Sequence, residues 1–318
     1  MIGSMRSWKA IVIALAVEAA VIAALLTIAL DVWTHTRVEQ LGGVNVWGYR
    51  GPVLLTRQPD EIRIAIAGGD LAFGWGQGAG GTLAYETRRL VMLDTDRPGK
   101  PRHPMISVNI AAQGLTPAEY GGWLRHFAYL RPDVICIVAD PRNHLSGKPA
   151  PVPDRKSAAF ALFGYVPILP LVLREKGEVS GSSLLIAIGR AAGAIDHAAG
   201  RVVGGAPAPR VAGESQAAYL AALEEVLQTA LNQGAAVVLV APPGDSAGEA
   251  SDRQAVAAMV ATRFGPDRRV RFQDLSKEPQ LTDWANRPNG FDFSSAGIAN
   301  AARLIAPPVS ELVKPLLD

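Results

Sequence analysis

Hydrophobic side chains along this chain form one long run near the amino terminus and a series of short runs separated by polar stretches. The long run, residues 10–30, is almost continuous alanine, valine, isoleucine and leucine, interrupted by Glu18 and Thr27. A helix over this run is about 30 Å long, at about 1.5 Å per residue, which matches the hydrocarbon core of a bilayer. The pattern therefore predicts one transmembrane helix at the start of the chain.

Charges on either side of this run predict its orientation. Arg6 and Lys9 precede it and Asp31 follows it, so the positive-inside rule places the amino terminus in the cytoplasm and the main domain on the opposite side of the membrane. In a diderm bacterium that side is the periplasm. A cleaved signal peptide is the alternative, but its apolar region is normally about 7–15 residues long and ends in a small-x-small cleavage site. Residues 29–31 fit such a site poorly. We therefore expect an uncleaved single-pass anchor in the cytoplasmic membrane.

The predicted helix carries a row of small residues and, near its middle, a carboxyl group. Ala16, Ala20 and Ala24 recur every four residues, a spacing that allows close approach of a second helix. Glu18 lies near the middle of the span, where a carboxyl group costs a few kcal/mol unless it faces protein or water. Two interpretations stay open: a protonated Glu18 in a lone anchor, or a face that docks on another integral membrane protein.

The short hydrophobic runs predict five buried strands, and amphipathic stretches between them predict helices. The predicted strands are residues 62–69, 104–111, 134–139, 235–243 and 270–275. The predicted helices are residues 81–94, 116–130, 214–233, 251–264 and a terminal helix to about residue 305. Alternation of strand and helix predicts an α/β domain with a doubly wound parallel sheet.

Composition narrows the function classes. Apolar residues make up 49% of the 318 residues and charged residues 19%, as expected of a globular core plus a membrane segment. The net charge of +2 is spread without long basic runs, so we expect no nucleic-acid partner. The single cysteine, Cys136, excludes an internal disulfide and a cysteine-based metal site. We expect no cofactor.

These patterns divide the chain into a cytoplasmic tail (1–9), the membrane helix (10–30), a juxtamembrane connector (31–61) and the α/β domain (62–318). Residues 146–213 interrupt the alternation of strand and helix. They are rich in proline and glycine, with apolar stretches of no clean amphipathicity. We expect this part to be an insertion that packs on the sheet or lies near the membrane.

Five short motifs, in this order, give the soluble part a family resemblance. They are Asn-x-Trp-Gly-Tyr-Arg-Gly (45–51), Arg-Ile followed by Gly-Gly-Asp and a further glycine (63–74), an Asn-to-Gly block (109–114), Pro-Asp with an apolar strand and its polar end (132–143), and an Asn-to-Gly block (289–297). Together they resemble the SGNH or GDSL hydrolases, particularly the membrane-anchored bacterial branch. The match covers residues 45–306 apart from the insertion. It implies a flavodoxin-like order for the five-stranded sheet.

The resemblance also locates the catalytic positions, and their residues are replaced. The nucleophilic serine corresponds to Asp70, the catalytic histidine to Asp292, and the aspartate that orients the histidine to Asn289. Attack by serine needs a hydroxyl, a base near neutral pKa and a partner for that base. Three changes together predict that the hydrolase chemistry is lost.

The donors of the oxyanion hole are partly kept in this resemblance. Gly114 matches the backbone donor, and the side-chain donor falls on Arg142, or on Asn143 with a slip of one residue. His144 follows this block. Because the nucleophile is absent, we expect His144 to be a surface or supporting histidine rather than a base.

Three carboxylates, Asp70, Asp140 and Asp292, are expected near the carboxyl edge of the sheet. Such a cluster needs a proton, a cation or an arginine. Oxygen ligands would suit Mg²⁺ or Ca²⁺, but Arg142 is expected within reach and can bridge two carboxylates. We therefore predict an internal ion cluster that fills the old active site, without a metal; a metal-dependent activity is the alternative.

The leading functional hypothesis is a catalytically degenerate SGNH-like domain, anchored in the membrane, that serves as an accessory subunit of a membrane protein complex. The first alternative is a cell-envelope esterase, deacetylase or acyltransferase that uses a non-standard aspartate pair as acid and base. The second alternative is a carbohydrate-binding module whose cleft, lined by Trp75, binds without cleaving.

Overall fold

The computed structural model describes residues 2–40, 44–45, 47–54, 56–74, 77, 79–96, 98, 103–112, 115–140, 215–244, 247–282 and 293–317, with isolated positions between 165 and 191. The chain divides into two compact units: residues 1–38 with 153–206, and residues 39–152 with 207–318. Each unit is described by itself below.

In the first unit, helix α1 (Ile2–Gln40) contains the long hydrophobic run. Within α1, the stretch Ala10–Arg37 has a mean hydropathy of 2.7 and is long and apolar enough to be a membrane span or a signal sequence. The helix continues ten residues beyond residue 30, to Gln40, through a stretch (31–40) that contains no glycine or proline. The first part of the predicted connector is therefore helical.

The second unit is built on five strands, β1 (Ile62–Gly68), β2 (Met105–Asn109), β3 (Val134–Val138), β4 (Ala236–Ala241) and β5 (Val270–Asp274). They form one parallel sheet in the order β2-β1-β3-β4-β5. This is the flavodoxin-like order, in which the chain reverses direction across the sheet between β1 and β3. The fold class predicted from the sequence is confirmed.

Helices cover both faces of this sheet. They are α2 (Asp70–Phe73), α3 (Leu83–Thr95), α4 (Pro117–His126), α5 (Gln216–Asn232), α6 (Ala247–Arg263) and α7 (Ser295–Val313). Helix α3 packs against α7, and α4 packs against α5. Side chains of β1, such as Ile64 and Ile66, share a core with Ile298, Ile305 and other residues of α7. Because both faces are covered, β1 and β3 are buried along their whole length.

The terminal helix is longer than its sequence predicts. We expected it to end near residue 305, before Pro307 and Pro308, but α7 runs through both prolines to Val313. Two prolines inside a helix each remove a backbone N–H donor and cost about 3 kcal/mol. Val309 and Val313 are fully buried in the core on the far side of the prolines, and this burial offsets the cost.

Candidate functional site

The turn between β1 and α2 keeps the geometry predicted for it: strand, two glycines, acidic tip and helix. Gly68 has φ of +147°, and a Cβ atom placed there would lie 2.8 Å from the carbonyl oxygen of Val138 on β3. Any side chain larger than hydrogen would push β1 and β3 apart at this point. Asp70 follows as the first residue of α2, half-buried at the carboxyl end of the sheet.

A buried arginine holds the far side of this turn. The guanidinium of Arg50 donates hydrogen bonds to the carbonyls of Phe73, Gly74 (2.9 Å) and Gln77 (2.5 Å), and it lies over the ring of Phe73 at 4.8 Å. These carbonyls belong to the end of α2 and the loop after it, where a helix leaves its acceptors unsatisfied. Burial lowers the pKa of Arg50 to about 10, so the side chain stays charged at neutral pH.

Asn109, at the end of β2, supports the same turn from the neighbouring strand. Its side-chain amide donates to the carbonyl of Ala72 at 2.8 Å, and its Oδ1 accepts from the N–H of Ala111 at 2.9 Å. Its backbone pairs in both directions with Arg50, with N–H to O distances of 2.8 Å. Arg50 and Asn109 therefore fix the position of α2, and with it the position of Asp70.

Asp140 lies two residues beyond the end of β3, the strand next to β1, and it is buried. Two tyrosines from the helices on one face reach the backbone just before it: the hydroxyl of Tyr120 on α4 donates to the carbonyl of Val138 at 3.3 Å, and that of Tyr219 on α5 donates to the carbonyl of Ala139 at 3.1 Å. The end of β3 is thus surrounded by phenol groups as well as carboxyl groups.

Burial and nearby carboxylate charges keep the phenol groups of Tyr120 and Tyr219 neutral. The pKa of Tyr120 is raised well above its ordinary value, first by complete burial and then by the charges of Asp140 and Asp70, with Tyr219 also contributing. The pKa of Tyr219 is raised for the same reasons, burial first and Asp140 second. Neither tyrosine can act as a base at neutral pH. Asp70 and Asp140, which follow the adjacent strands β1 and β3, both contribute to the raised pKa of Tyr120.

The remaining residues predicted for the site lie outside the described residues. These are Gly114, Arg142, Asn143, Asn289 and Asp292, together with His144 and Trp75. The ion cluster of Arg142 with Asp70 and Asp292 therefore stays a prediction. In the parts of the chain that the structure describes, no group of three or more histidine, cysteine, aspartate or glutamate side chains could hold a metal ion.

Two histidines of this unit, His103 and His126, contact backbone or aromatic groups away from Asp70. His103 lies beside the start of β1, with Nδ1 3.3 Å from the carbonyl oxygen of Asp60, at the opposite edge of the sheet from Asp70. His126 stacks on Trp123 with ring centroids 5.8 Å apart, and burial lowers its pKa.

The residues of the membrane helix that are predicted to contact a partner are exposed in α1. Ala16, Glu18, Ala20 and Ala24 all have solvent-facing side chains within the first unit, as do the large apolar residues around them.

Residue-by-residue interpretation of the sequence missed Arg50, Tyr120 and Tyr219. Arg50 carried a signal, since it belongs to the motif 45–51, but a motif before the first strand does not reveal that its arginine reaches α2. Tyr120 and Tyr219 carried no such signal, because each stands at a core-facing helix position where an apolar residue would be equally expected.

No protein-family profile matches this chain, and no curated protein matches it. Solved structures that it resembles include the esterase EstA of a Pseudoalteromonas species inhibited by monoethylphosphonate, with 9% identity over 80% of this chain and 97% of that one and a TM-score of 0.42. A family two carbohydrate esterase of Clostridium thermocellum in complex with cellohexaose shares 12% identity over 80% of this chain and 66% of that one, with a TM-score of 0.45. A family 3 carbohydrate esterase from the same organism shares 13% identity over 81% of this chain and all of that one, with a TM-score of 0.42. These structures are of the SGNH type that the motifs resemble, and the likeness concerns the fold alone.

Proposed function

We propose that this protein is a membrane-anchored SGNH-like domain without hydrolase activity, which serves as an accessory subunit of a membrane protein complex. The observation that carries the first half is the position of Asp70. Its carboxyl group stands at the tip of a turn that Arg50 and Asn109 hold in place, where the resembling hydrolases carry a serine hydroxyl. The scaffold of the turn is kept and the nucleophile is replaced.

A carboxylate at this position cannot start the chemistry of a serine hydrolase. That mechanism transfers a proton from a hydroxyl to a base while the oxygen attacks a carbonyl carbon. An ionised carboxylate has no such proton. The nearby Tyr120 stays protonated, because burial and the charges of Asp140 and Asp70 raise its pKa. Both features favour a structural use of the turn.

The competing function is an esterase or acyltransferase in which Asp70 and Asp140 divide the roles of acid and base. One observation favours it: the two residues follow adjacent strands at the carboxyl end of the sheet, and the charges of both contribute to the raised pKa of Tyr120. Paired carboxyl groups can hold different protonation states when their environments differ, and Asp70 is half-buried whereas Asp140 is buried.

An assay of the full-length protein in detergent separates these functions. The substrates are 4-nitrophenyl acetate and acetylated xylo-oligosaccharide, and the variants are Asp70→Asn and Asp140→Asn, with Asp267→Asn as a control because Asp267 pairs with Arg269 on the surface at the opposite edge of the sheet. We expect no turnover above the buffer rate in any of the four proteins. Turnover that is present in the unmodified protein and Asp267→Asn but lost in Asp70→Asn would establish the esterase instead.

The second half of the proposal, membrane assembly, is supported by α1. Its small residues Ala16, Ala20 and Ala24 are exposed along one side, and Glu18 is exposed on another side near the middle of the span. The row of small residues allows close approach of a second membrane helix, and a carboxyl group at this depth favours contact with protein or water over lipid. The proposed orientation has the amino terminus in the cytoplasm and the α/β unit outside it.

Purification in mild detergent tests this assembly. We expect an integral membrane protein to co-purify with the unmodified chain and with Ala14→Leu, a change on another side of α1, but not with Ala20→Leu. A lone monomer for the unmodified chain would contradict the assembly while leaving the assay above unaffected.

A further inference from the structure

The carboxyl-terminal end of α1 differs from the rest of the helix because three of its polar side chains are buried. The side chains at positions 10–30 are exposed, whereas Asp31 is 5% exposed, Thr34 7% and His35 0%. A buried carboxylate needs hydrogen-bond donors, so the surroundings of Asp31 indicate what this end of the helix is built to hold.

Asp31 is the acceptor for a segment far along the chain within the same compact unit. The hydroxyl of Tyr165 donates to its Oδ2, and the backbone N–H groups of Ile168 and Leu169 donate to its Oδ1 at 3.0 Å and 2.6 Å. The imidazole of His35 is 3.7 Å from Oδ2 and meets the ring of Tyr165 edge-on at 5.4 Å. We name this group of contacts the Asp31 latch. It fixes Tyr165, Ile168 and Leu169 beside the turn of α1 that contains Asp31.

The turn of α1 that contains Asp31 lies at the end of the hydrophobic run. Residues 10–30 of α1 span about 30 Å, the thickness of the hydrocarbon core, and Asp31 is the next residue. In a membrane-anchored protein the Asp31 latch therefore sits at the boundary between hydrocarbon and headgroups. Whatever the latch holds is held at the surface of the bilayer.

The same unit presents a second apolar surface, on residues 183–188. The described residues of this stretch are helical. Leu184 is 67% exposed and Ile188 46% exposed, and their spacing of four residues places them on one helix face. Exposed large aliphatic side chains in pairs of this kind are costly in water.

We propose that the helical residues around Leu184 and Ile188 form a second membrane-contacting element, in which these two side chains insert between lipid acyl chains at the bilayer surface. The Asp31 latch fixes this element to α1 through Tyr165, Ile168 and Leu169, which precede it in the chain. The proposal rests on the membrane anchoring proposed above. Lipid is the occupant because the unit that carries Leu184 and Ile188 also carries the exposed apolar surface of α1, from Ile11 to Trp33. One bilayer covers both surfaces.

Site-directed spin labelling of the full-length protein tests this. The protein is reconstituted in vesicles of phosphatidylcholine and phosphatidylglycerol, with single labels at Leu184→Cys or Ile188→Cys; the native Cys136 is completely buried and does not react. Leu93→Cys on α3 is the matched control, because Leu93 is 66% exposed in the α/β unit, and Leu26→Cys, also 66% exposed, marks the membrane span. Labels in lipid collide with oxygen and lose their accessibility to a water-soluble nickel complex.

We expect labels at positions 184, 188 and 26 to lose nickel accessibility relative to the label at position 93. In the Asp31→Ala background, the labels at 184 and 188 should recover it while the label at 26 stays in lipid. If position 26 is shielded but 184 is as accessible to nickel as 93, the proposal is overturned and the anchor survives. Shielding of 184 from both reagents would also overturn it, since that result indicates contact with protein. An exposed position 26 would refute the anchor itself.

Discussion

The guanidinium of Arg50 donates a hydrogen bond of 2.9 Å to the carbonyl of Gly74, 24 residues later in the chain. One end of this contact lies before the sheet begins, and the other closes the short helix that starts with Asp70. The segment that precedes the first strand is therefore a structural part of the candidate site rather than a passive connector.

Replacement of Arg50 by alanine should destabilise the α/β unit. The change leaves the carbonyls at the end of α2 without a charged donor in a buried setting, and we expect the free energy of unfolding to fall by about 3 kcal/mol. Denaturation in guanidinium chloride, followed by tryptophan fluorescence, measures the change. Arg125→Ala is the control, since Arg125 and its partner Glu225 are 58% and 59% exposed, and its cost should stay below about 1 kcal/mol. Equal effects of the two variants would contradict the role given to Arg50.

A methyl group at Gly68 should be much more damaging than one at another glycine of positive φ. Gly68→Ala brings Cβ within 2.8 Å of the Val138 carbonyl, and we expect a loss of about 2–4 kcal/mol from strain and overpacking. Gly234 has φ of +85° with nothing within 4 Å of a built Cβ, so Gly234→Ala should cost only about 1 kcal/mol. The difference between the two midpoints of denaturation isolates the clash between β1 and β3. Similar midpoints would show that the strands can separate without penalty.

Four tyrosines should resist ionisation in the folded protein. Burial raises the pKa values of Tyr120, Tyr129, Tyr165 and Tyr219 above the ordinary value near 10. A pKa that is raised by folding stabilises the protein below the unfolded pKa and loses this contribution as the pH rises toward the folded one. Stability should therefore fall above about pH 10, with the main tyrosinate absorbance appearing at unfolding. Absorbance at alkaline pH, in the presence and absence of guanidinium chloride, measures this. If all of the tyrosines ionise while the protein is still folded, the prediction is refuted.

Loss of the Tyr165 hydroxyl should loosen the segment held by the Asp31 latch. In Tyr165→Phe, Asp31 keeps its two backbone donors and loses the phenol, a cost of about 1–2 kcal/mol. The population of the open segment should rise about tenfold, and so should the rate of trypsin cleavage between Lys156 and Arg190. Tyr129→Phe, which alters a half-exposed tyrosine of the other unit, should leave that rate unchanged. An unchanged rate in Tyr165→Phe would show that the hydroxyl does not hold the segment.

Much of the α/β unit follows from the sequence because its strands are short, apolar and bounded by turn residues. The order of strands and helices was predictable, and so was the start of α4, where Thr116 and Glu119 form the expected capping box. The length of α7 was not, since local sequence reports the cost of Pro307 and Pro308 but not the core that Val309 and Val313 enter.

The candidate site was predictable only where a residue is tied to a strand end. Asp70 and Asp140 each follow a buried strand, and the parallel pairing of these strands places both residues at the carboxyl end of the sheet. The contributions of Arg50 and Tyr120 depend on long-range contacts, from a segment before the sheet and from a helix packed across it. The Asp31 latch was hidden for the same reason, because more than 130 residues separate its partners.

The backbone pairing of Arg50 with Asn109 also bears on how the chain avoids aggregation. Strand β2 is at the edge of the sheet, and an open edge is a template onto which a strand of another molecule can add. Both backbone hydrogen-bonding groups of Asn109 are already bound to Arg50. The end of the edge nearest Asp70 is therefore closed from within the chain, so a foreign strand would have to displace the same residue that holds the turn before it could pair there.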